Sequence, residues 1–191
     1  MSNGNIASCS NDRSIKIWDG KDSYNCIQTV FGHDKPINSL VELENGNLAS
    51  CSNDKTIKVW DANNKYKCIY TLVGHENFVF SVIQLSNGNI ASCCYDKLIK
   101  IWDAKDKYKC IQTINTEHKY LINSLTELRN GNIASCSEDD TVKIWNGNRN
   151  YSYVQTLSDH TDSVNHIIQS RNGNIISCSN DKTIKIWMKF T

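Results

Sequence analysis

The stretch that decides the fold is Asn45-Gly-Asn-Leu-Ala-Ser-Cys-Ser-Asn-Asp-Lys-Thr-Ile-Lys-Val-Trp-Asp61. It holds two short runs, 47–52 and 56–60, and the second alternates apolar and polar residues and is rich in β-branched side chains, which is typical of strands. Asn-Gly before the first run and Asn-Asp-Lys between the two predict tight turns. Two further runs of strand length, 36–43 and 67–72, flank this stretch. We therefore predict a unit of four antiparallel strands.

The same stretch recurs along the chain at a nearly constant period. Three residue types keep one register: Asn-Gly-Asn triplets begin at positions 3, 45, 87, 130 and 172, and four of the five histidines each precede a tryptophan by 27 residues. The tryptophans are 42, 42, 43 and 42 residues apart, at Trp18, Trp60, Trp102, Trp145 and Trp187. Such self-similarity is the mark of a repeat architecture, here of about four and a half copies. We expect one domain over residues 1–191, with units at about 1–30, 31–72, 73–114, 115–157 and 158–191.

The order of motifs within a unit resembles a known family. Gly-His stands 27 to 28 residues before Trp-Asp, with Leu-Ala-Ser-Cys-Ser-Asn-Asp-Lys-Thr-Ile-Lys-Val-Trp leading into that pair, and this is similar to the WD-repeat β-propeller family. Repeats of that family have about 40–45 residues and four strands each, whereas kelch repeats have about 50. The resemblance implies an all-β fold, a β-propeller of four-stranded antiparallel blades. Trp-Asp becomes Trp145-Asn146 and Trp187-Met188 in the last two units.

About four and a half repeats do not make a closed ring of whole blades. The sequence starts with the second strand of a unit and stops with the third, so we expect an open or incomplete ring. Two explanations stay open: further repeats in a larger protein, or self-association that covers exposed strand edges. A third arrangement would use the first strand of the last unit, at 163–170, to complete the N-terminal blade.

The resemblance also implies a hydrogen-bonded set of His, Ser, Asp and Trp in each blade. A buried indole N–H and an imidazole need partners, and a turn aspartate supplies a strong acceptor. The first unit has Ser8, Asp12 and Trp18 without a histidine. The four complete sets, which we call tetrads, are His33, Ser50, Asp54, Trp60; His75, Ser92, Asp96, Trp102; His118, Ser135, Asp139, Trp145; and His160, Ser177, Asp181, Trp187.

Serine, histidine and aspartate together also suggest a hydrolase, so the two interpretations must be compared. A catalytic triad occurs once in a site, whereas this set occurs four times at one spacing. No Gly-x-Ser-x-Gly motif, which would expose a nucleophile, is present in the sequence. We therefore expect no enzyme, no catalytic residue and no cofactor.

The nine cysteines follow the repeat as well. One series occupies a position of the second strand and another a position of the fourth strand, and we expect both series to be small buried hydrophobes. The odd count and the lack of a signal sequence favour a reducing compartment, the cytoplasm first and the nucleus second. No Cys-x-x-Cys pair is present, so no metal is expected.

Charge and hydropathy narrow the classes of partner. A formal net charge of +1 makes nucleic acid an improbable partner, since nucleic-acid binders carry a basic excess. No apolar run approaches the roughly 18 residues needed to span a membrane, so no membrane partner is expected.

Specificity should lie where the repeat is broken. In the family the loops after each histidine and the turns after each second strand lie on the top face, so large or charged residues there are candidates for partner binding. The candidates are Phe78, Phe80, Tyr95 and Tyr120, with the basic residues Arg13, Lys55, Lys97 and Lys182. We expect a non-enzymatic scaffold for peptide or protein partners. The alternatives are a substrate-receptor fragment of a ubiquitin ligase and, further behind, a nucleic-acid-associated scaffold or a propeller hydrolase.

Overall fold

The computed structural model describes residues 1–21 and 23–188 and contains five antiparallel sheets. The first sheet is β1 (Ile6–Cys9), β2 (Ser14–Trp18) and β3 (Cys26–Phe31). The second is β4 (Ile37–Glu42), β5 (Leu48–Ser52), β6 (Thr56–Asp61) and β7 (Lys67–Val73). The third is β8 (Val79–Gln84), β9 (Ile90–Cys94), β10 (Leu98–Asp103) and β11 (Lys109–Asn115).

The last two sheets repeat this order. The fourth is β12 (Ile122–Glu127), β13 (Ile133–Ser137), β14 (Val142–Asn146) and β15 (Ser152–Leu157). The fifth is β16 (Val164–Gln169), β17 (Ile175–Ser179) and β18 (Ile184–Trp187). One 3₁₀ turn, Ala62–Asn64, is the other regular element of the described chain. None of the described residues forms a helix with the length and apolar character that a membrane crossing requires.

The four runs predicted around residue 50 are the strands β4 to β7, each paired with its neighbour in sequence. The Asn-Gly turn between β4 and β5 forms as expected. Gly46 has a φ of +82°, and its N–H donates to the carbonyl of Leu43 at 2.8 Å. A side-chain oxygen of Asn45 accepts the N–H of Asn47 at 3.1 Å, which closes the turn. The all-β prediction of four-stranded antiparallel units is confirmed.

The core lies between the sheets, which pack face to face. Between the second and third sheets, one face supplies Ala49, Cys51, Ile57 and Val59, and the opposing face supplies residues such as Ile90 and Trp102. The same strand positions form the cores at the other boundaries between sheets, which we call seams. The apolar residues of each sheet are therefore buried only where a neighbouring sheet covers them.

The cysteine prediction holds for the second strands of the three inner sheets, where Cys51, Cys93 and Cys136 are fully buried, and is wrong for the fourth strands. In the second strands of the two end sheets, Cys9 and Cys178 are only half-buried. In the fourth strands Cys26 is exposed, and Cys68 and Cys110 are half-buried. The reason is that the fourth strand forms the outer edge of its sheet. An edge position has a neighbour on one side only, so the repeat alone does not ensure burial.

The two ends of the sheet array stay open, which confirms the expected incomplete ring. Ile184 and Ile186 occupy the positions of Ile57 and Val59, yet they are 70% and 64% exposed, whereas Ile57 and Val59 are 0% exposed. The suggestion that 163–170 completes the N-terminal blade is wrong, because β16 pairs with β17 inside the fifth sheet. Within residues 1–21 and 23–188, no strand of the first sheet pairs with a strand of the fifth.

Candidate functional site

Each tetrad joins a loop to two strands through one buried serine. In the second sheet Trp60 Nε1 donates to Ser50 Oγ at 2.8 Å, and His33 Nε2 lies 2.8 Å from the same oxygen. His33 Nδ1 lies 2.7 Å from Asp54 Oδ2. Because a carboxylate only accepts, Nδ1 carries a proton and donates it to Asp54, while Nε2 pairs with the serine hydroxyl. The three contacts recur in the third, fourth and fifth sheets.

The aspartate of each tetrad also fixes the turn that follows the second strand. Asp54 Oδ2 accepts the backbone N–H of Asp34 at 3.1 Å, and Asp54 Oδ1 accepts the Thr56 hydroxyl at 2.6 Å. Burial by itself would raise the pKa of Asp54. The hydrogen bonds from His33 and Thr56 outweigh that effect, so the pKa of Asp54 lies well below its usual range. The carboxylate therefore stays charged and holds the loop against the turn.

The glycine before each of the first two histidines is explained by the tryptophan ring. A Cβ atom built on Gly32 would lie 2.8 Å from Cη2 of Trp60, and one on Gly74 would lie 3.2 Å from Cη2 of Trp102. The loop therefore passes too close to the ring for a larger residue. In the fourth sheet the residue before the histidine is Glu117. The repeat is one residue longer here, and the residue before Glu117, Thr116, is buried.

The third sheet departs from the other tetrads at two flanking positions. Cys94 replaces the serine found at positions 52, 137 and 179, and Leu98 replaces the threonine found at 56, 141 and 183. Asp96 therefore lacks a hydroxyl donor, and its distance to His75 is 3.2 Å, compared with 2.7 Å in the second sheet. Burial opposes the hydrogen bonds from His75 and Cys94 that act on this carboxyl, and its pKa is lowered to about 2.

The serines of the tetrads are buried and hydrogen-bonded. Ser50, Ser92 and Ser135 are 0% exposed and Ser177 is 1% exposed. Each hydroxyl is already engaged by an indole and an imidazole. The ligand atoms of His75, Cys94 and Asp96 lie within 4.8 Å of one another. There the histidine and carboxylate pair with each other, and the thiol sulfur accepts the N–H of Asp96 at 3.2 Å.

Three of the candidate aromatic residues are exposed at one end of two adjacent sheets. Phe78, Tyr95 and Tyr120 are 40%, 50% and 59% exposed, and we call them the aromatic patch. The N–H of Tyr95 donates to the carbonyl of Phe78 at 3.0 Å, which joins these two residues in the third sheet. The carbonyl of Tyr120 accepts the hydroxyl of Ser137 at 3.3 Å, at the same end of the fourth sheet.

Phe80 is not part of this exposed group. It is half-buried in β8, at a position where neighbouring sheets carry asparagine. Asn38 and Asn123 donate to carbonyls of the next sheet, Val79 O at 2.8 Å and Val164 O at 2.9 Å. Between the third and fourth sheets, the carbonyl of Ile122 accepts a hydrogen bond from the thiol of Cys93 at 3.5 Å. By its equivalence to Asn38 and Asn123, Phe80 holds the strand position that faces the next sheet.

The basic candidates all occupy one strained position of the same turns. Arg13, Lys55, Lys97 and Lys182 have φ values of 72°, 72°, 65° and 67°, and all four side chains are exposed. Asp140 holds this position in the fourth sheet, with a φ of 66°. Four of the five turns therefore present a cation at this end, and one presents an anion.

The sequence did not predict a second set of contacts, the hydrogen bonds between neighbouring sheets at their other end. At the opposite end, the last residue of each first strand accepts a backbone N–H from the preceding sheet. The pairs are Ser2 with Glu42 at 2.9 Å, Glu44 with Gln84 at 2.7 Å, Ser86 with Glu127 at 2.7 Å and Arg129 with Gln169 at 2.8 Å. The acceptors keep the period of the repeat but alternate between Glu and Gln. That change of residue type conceals the pattern in the sequence.

Comparison with known proteins identifies the class of this fold. Residues 2–19, 24–61, 66–103, 108–146 and 151–188 match the WD40 family, described as "WD domain, G-beta repeat". The chain belongs to this family, which confirms the resemblance. The family generally provides non-enzymatic interaction scaffolds that bind protein partners.

Two individual proteins are similar to this chain. The crystal structure of the WD40 beta propeller domain of Doa1 matches with a TM-score of 0.87 and 27% identity, over 98% of this chain and 62% of that one. The "Nuclear distribution protein PAC1-1" of Uncinocarpus reesii (strain UAMH 1704) is 51% identical over 35 residues, 18% of this chain and 8% of that protein. The chain thus spans less than two thirds of either protein.

Proposed function

We propose that this chain is a non-enzymatic scaffold that binds a peptide or a protein loop through the aromatic patch. WD40 propellers generally bind protein partners. The observation that carries the proposal is the exposure of Phe78, Tyr95 and Tyr120 on adjacent sheets. Aromatic residues on a rigid surface supply much of the binding energy of protein interfaces. We treat residues 1–191 as one WD-repeat domain in which this end is the binding face.

The aromatic patch breaks the repeat at positions where the fold does not need an aromatic ring. The residues equivalent to Tyr95 are Asn53, Glu138 and Asn180, each of which donates its N–H to the preceding loop as Tyr95 does. The backbone hydrogen bond therefore forms whichever side chain occupies this position. The ring of Tyr95 is free to serve a partner, and its neighbour Phe78 extends the apolar surface.

Charge favours an acidic or phosphorylated residue on the partner. Lys97 lies two residues from Tyr95 in the same turn, and Lys55 holds the equivalent place on the second sheet. A carboxylate or phosphate over these two sheets would gain charge-assisted hydrogen bonds. Glu138 and Asp140 on the fourth sheet would repel it. We infer that the acidic end of a bound peptide points toward the second sheet.

The alternative functions fit less well. A role as a substrate receptor of a ubiquitin ligase would use the same face and is a narrower form of this proposal. A propeller hydrolase would need an accessible nucleophile, whereas the tetrad serines are buried. The nine free thiols support a reducing compartment, the cytoplasm or the nucleus.

A peptide selection tests the proposal. Phage-displayed peptides are selected on the immobilised chain, and the affinity of a selected peptide is measured for wild type and for the double variant Tyr95→Ala, Tyr120→Ala. We expect at least about a tenfold loss, since central aromatic residues contribute more than 1 kcal/mol each. The matched control is Tyr24→Ala, Tyr153→Ala, which removes two tyrosines that are 66% and 57% exposed elsewhere. Equal affinity of both double variants would contradict the proposal.

A further inference from the structure

Three of the four arginines of the chain lie at one end of the fourth and fifth sheets, the end that carries the Asn-Gly turns. Arg129 and Arg171 stand directly before the Asn-Gly turns of these two sheets, and Arg149 lies in the loop between β14 and β15. All three side chains are exposed, and we call them the arginine patch. The arginine patch lies at the opposite end of the sheets from the aromatic patch.

Hydrogen bonds join the turns that carry the arginine patch. Arg129 Nη1 donates to the carbonyl of Arg171, which links the turns of the fourth and fifth sheets. The N–H of Gly147 donates to Asn132 Oδ1 at 3.3 Å, which places the loop of Arg149 beside the turn of Arg129. The three arginines therefore come from neighbouring turns on two adjacent sheets.

The arginines replace neutral or acidic residues of the other sheets. The residue before the Asn-Gly turn is Glu44 in the second sheet and Ser86 in the third. The position of Arg149, four residues after the tryptophan, is Asn64 in the second sheet and Asp106 in the third. Since these sheets form the same turns, the fold does not need an arginine at either position.

The positive charge of the arginine patch is not neutralised by the protein. Within residues 1–21 and 23–188, none of the three guanidinium groups forms an ion pair with a carboxylate. Between residues 115 and 187, Glu127 is the acidic residue at this end, and its two oxygens accept the N–H and the hydroxyl of Ser86. In the third sheet, by contrast, lysines alternate with Asp103 and Asp106. An uncompensated positive surface attracts anionic groups.

The exposure of the arginine patch does not depend on the open edge of β18. The fourth sheet has all four strands and a neighbouring sheet on either side, and Arg129 and Arg149 are exposed there. Arg171 holds in the fifth sheet the position that Arg129 holds in the fourth. A fourth strand added to β18 would therefore leave Arg171 at the surface.

We propose that the arginine patch binds an acidic segment of a partner protein, a run of aspartate and glutamate side chains. Guanidinium groups bind carboxylates through paired, charge-assisted hydrogen bonds. Three guanidinium groups on separate turns fit a run of carboxylates along an extended segment better than a single anion. The family generally binds protein partners, which favours an acidic protein segment over a nucleic acid. The arginine patch gives the chain a second binding end, independent of the aromatic patch.

The test uses the full chain and a capped, fluorescein-labelled peptide of glutamates only, with a glutamine peptide of the same length as the control. We expect saturable binding of the glutamate peptide by fluorescence anisotropy, weaker at higher salt because exposed charges are screened. Absence of binding, or equal affinity of the two peptides, would overturn the proposal. Tighter binding of a single-stranded oligonucleotide of matched charge would also overturn it, because the patch would then fit a nucleic acid.

Two triple variants locate the binding site. Replacing the three arginines by glutamine, in Arg129→Gln, Arg149→Gln, Arg171→Gln, should weaken binding of the glutamate peptide about tenfold. The matched control is Lys105→Gln, Lys107→Gln, Lys109→Gln, which removes three exposed charges at the same end of the third sheet. Equal weakening by the two triple variants would contradict the site.

Two further measurements separate this proposal from its rivals. The Tyr95→Ala, Tyr120→Ala variant should bind the glutamate peptide as the wild type does, whereas a loss of binding would place the peptide at the aromatic patch and overturn the proposal. Light scattering at increasing protein concentration should give the same mass for the wild type and the arginine variant. Self-association that the arginine variant abolishes would also overturn the proposal, because the occupant would then be a second copy.

Discussion

The indole N–H of Trp60 donates to Ser50 Oγ at 2.8 Å, and that oxygen also contacts the imidazole of His33. One buried hydroxyl therefore satisfies two ring nitrogens. The contact joins the second strand, the third strand and the loop before the first strand within one sheet. Because the loop and turn lie at the end of the sheets that carries the aromatic patch, this contact also positions the proposed binding surface.

Removing this hydroxyl should be costly. Ser50→Ala leaves two buried ring nitrogens without their partner, at about 1–3 kcal/mol for each, so we expect a loss of roughly 2–6 kcal/mol in the free energy of unfolding. Urea denaturation measures it. The control is Ser8→Ala in the first sheet, where the serine is exposed and its hydroxyl oxygen accepts the indole N–H of Trp18 at 2.9 Å. A loss for Ser50→Ala no greater than for Ser8→Ala would refute this role of the serine.

Acid should weaken the tetrads through their aspartates. The folded pKa of Asp54 and that of Asp96 lie below the unfolded value of about 3.9. A lowered folded pKa gives stability that is complete above the unfolded pKa and is lost as the pH falls through the folded one. We expect stability to decline from about pH 5 toward pH 2.

The aspartate variants should flatten that decline. Asp54→Asn should reduce the pH dependence of the unfolding free energy more than Asp96→Asn, because the pKa of Asp96, at about 2, is lowered less. Chemical denaturation at several pH values measures both slopes. If both variants keep the wild-type slope, these carboxylates are not the source of the acid sensitivity.

The thiols should differ sharply in reactivity. Cys26 is exposed, whereas Cys51, Cys93 and Cys94 are fully buried, and burial raises the pKa of each of these three thiols. Because the thiolate is the reactive form, Cys26 should account for the fast phase of labelling by a disulfide reagent. Cys26→Ser should remove that phase. Fast labelling of Cys93 or Cys94 in the folded protein would contradict the packing of the third sheet.

The stability of the hydrogen bonds between neighbouring sheets, at the end opposite the aromatic patch, should depend on charge. Gln84 accepts the N–H of Glu44, so Gln84→Glu would place a second carboxylate at this seam. We expect a loss of up to about 1 kcal/mol at low salt, since exposed charges interact weakly, and a smaller loss in high salt. Glu127→Gln keeps one acceptor oxygen, for the N–H of Ser86, and serves as the control, with little salt dependence expected. Thermal unfolding at two ionic strengths measures the loss for each variant. Equal salt dependence of the two variants would contradict the prediction.

The sequence predicted the strands well because their signals are local. Asn-Gly at 45–46 and the alternating run at 56–60 specify a turn and a strand from neighbouring residues alone. The exposure of Cys26 was missed, since burial at a sheet edge depends on what lies beside the sheet. The acceptors Glu42 and Gln84 were missed because they share a position but differ in residue type. Tyr66, Tyr108 and Tyr151 recur at the period of the repeat, yet the space that each ring fills between two sheets is set by the sheet next to it.

We propose that partners bind at the aromatic patch, and an NMR titration tests this proposal residue by residue. A peptide selected on the chain is titrated into ¹⁵N-labelled protein, and the amide shifts are mapped onto the sheets. We predict that the largest shifts fall on Phe78, Tyr95, Lys97 and Tyr120, with the Asn-Gly-Asn turns at the opposite end unchanged. Largest shifts at those turns, with Tyr95 and Tyr120 unaffected, would rule out binding at the aromatic patch.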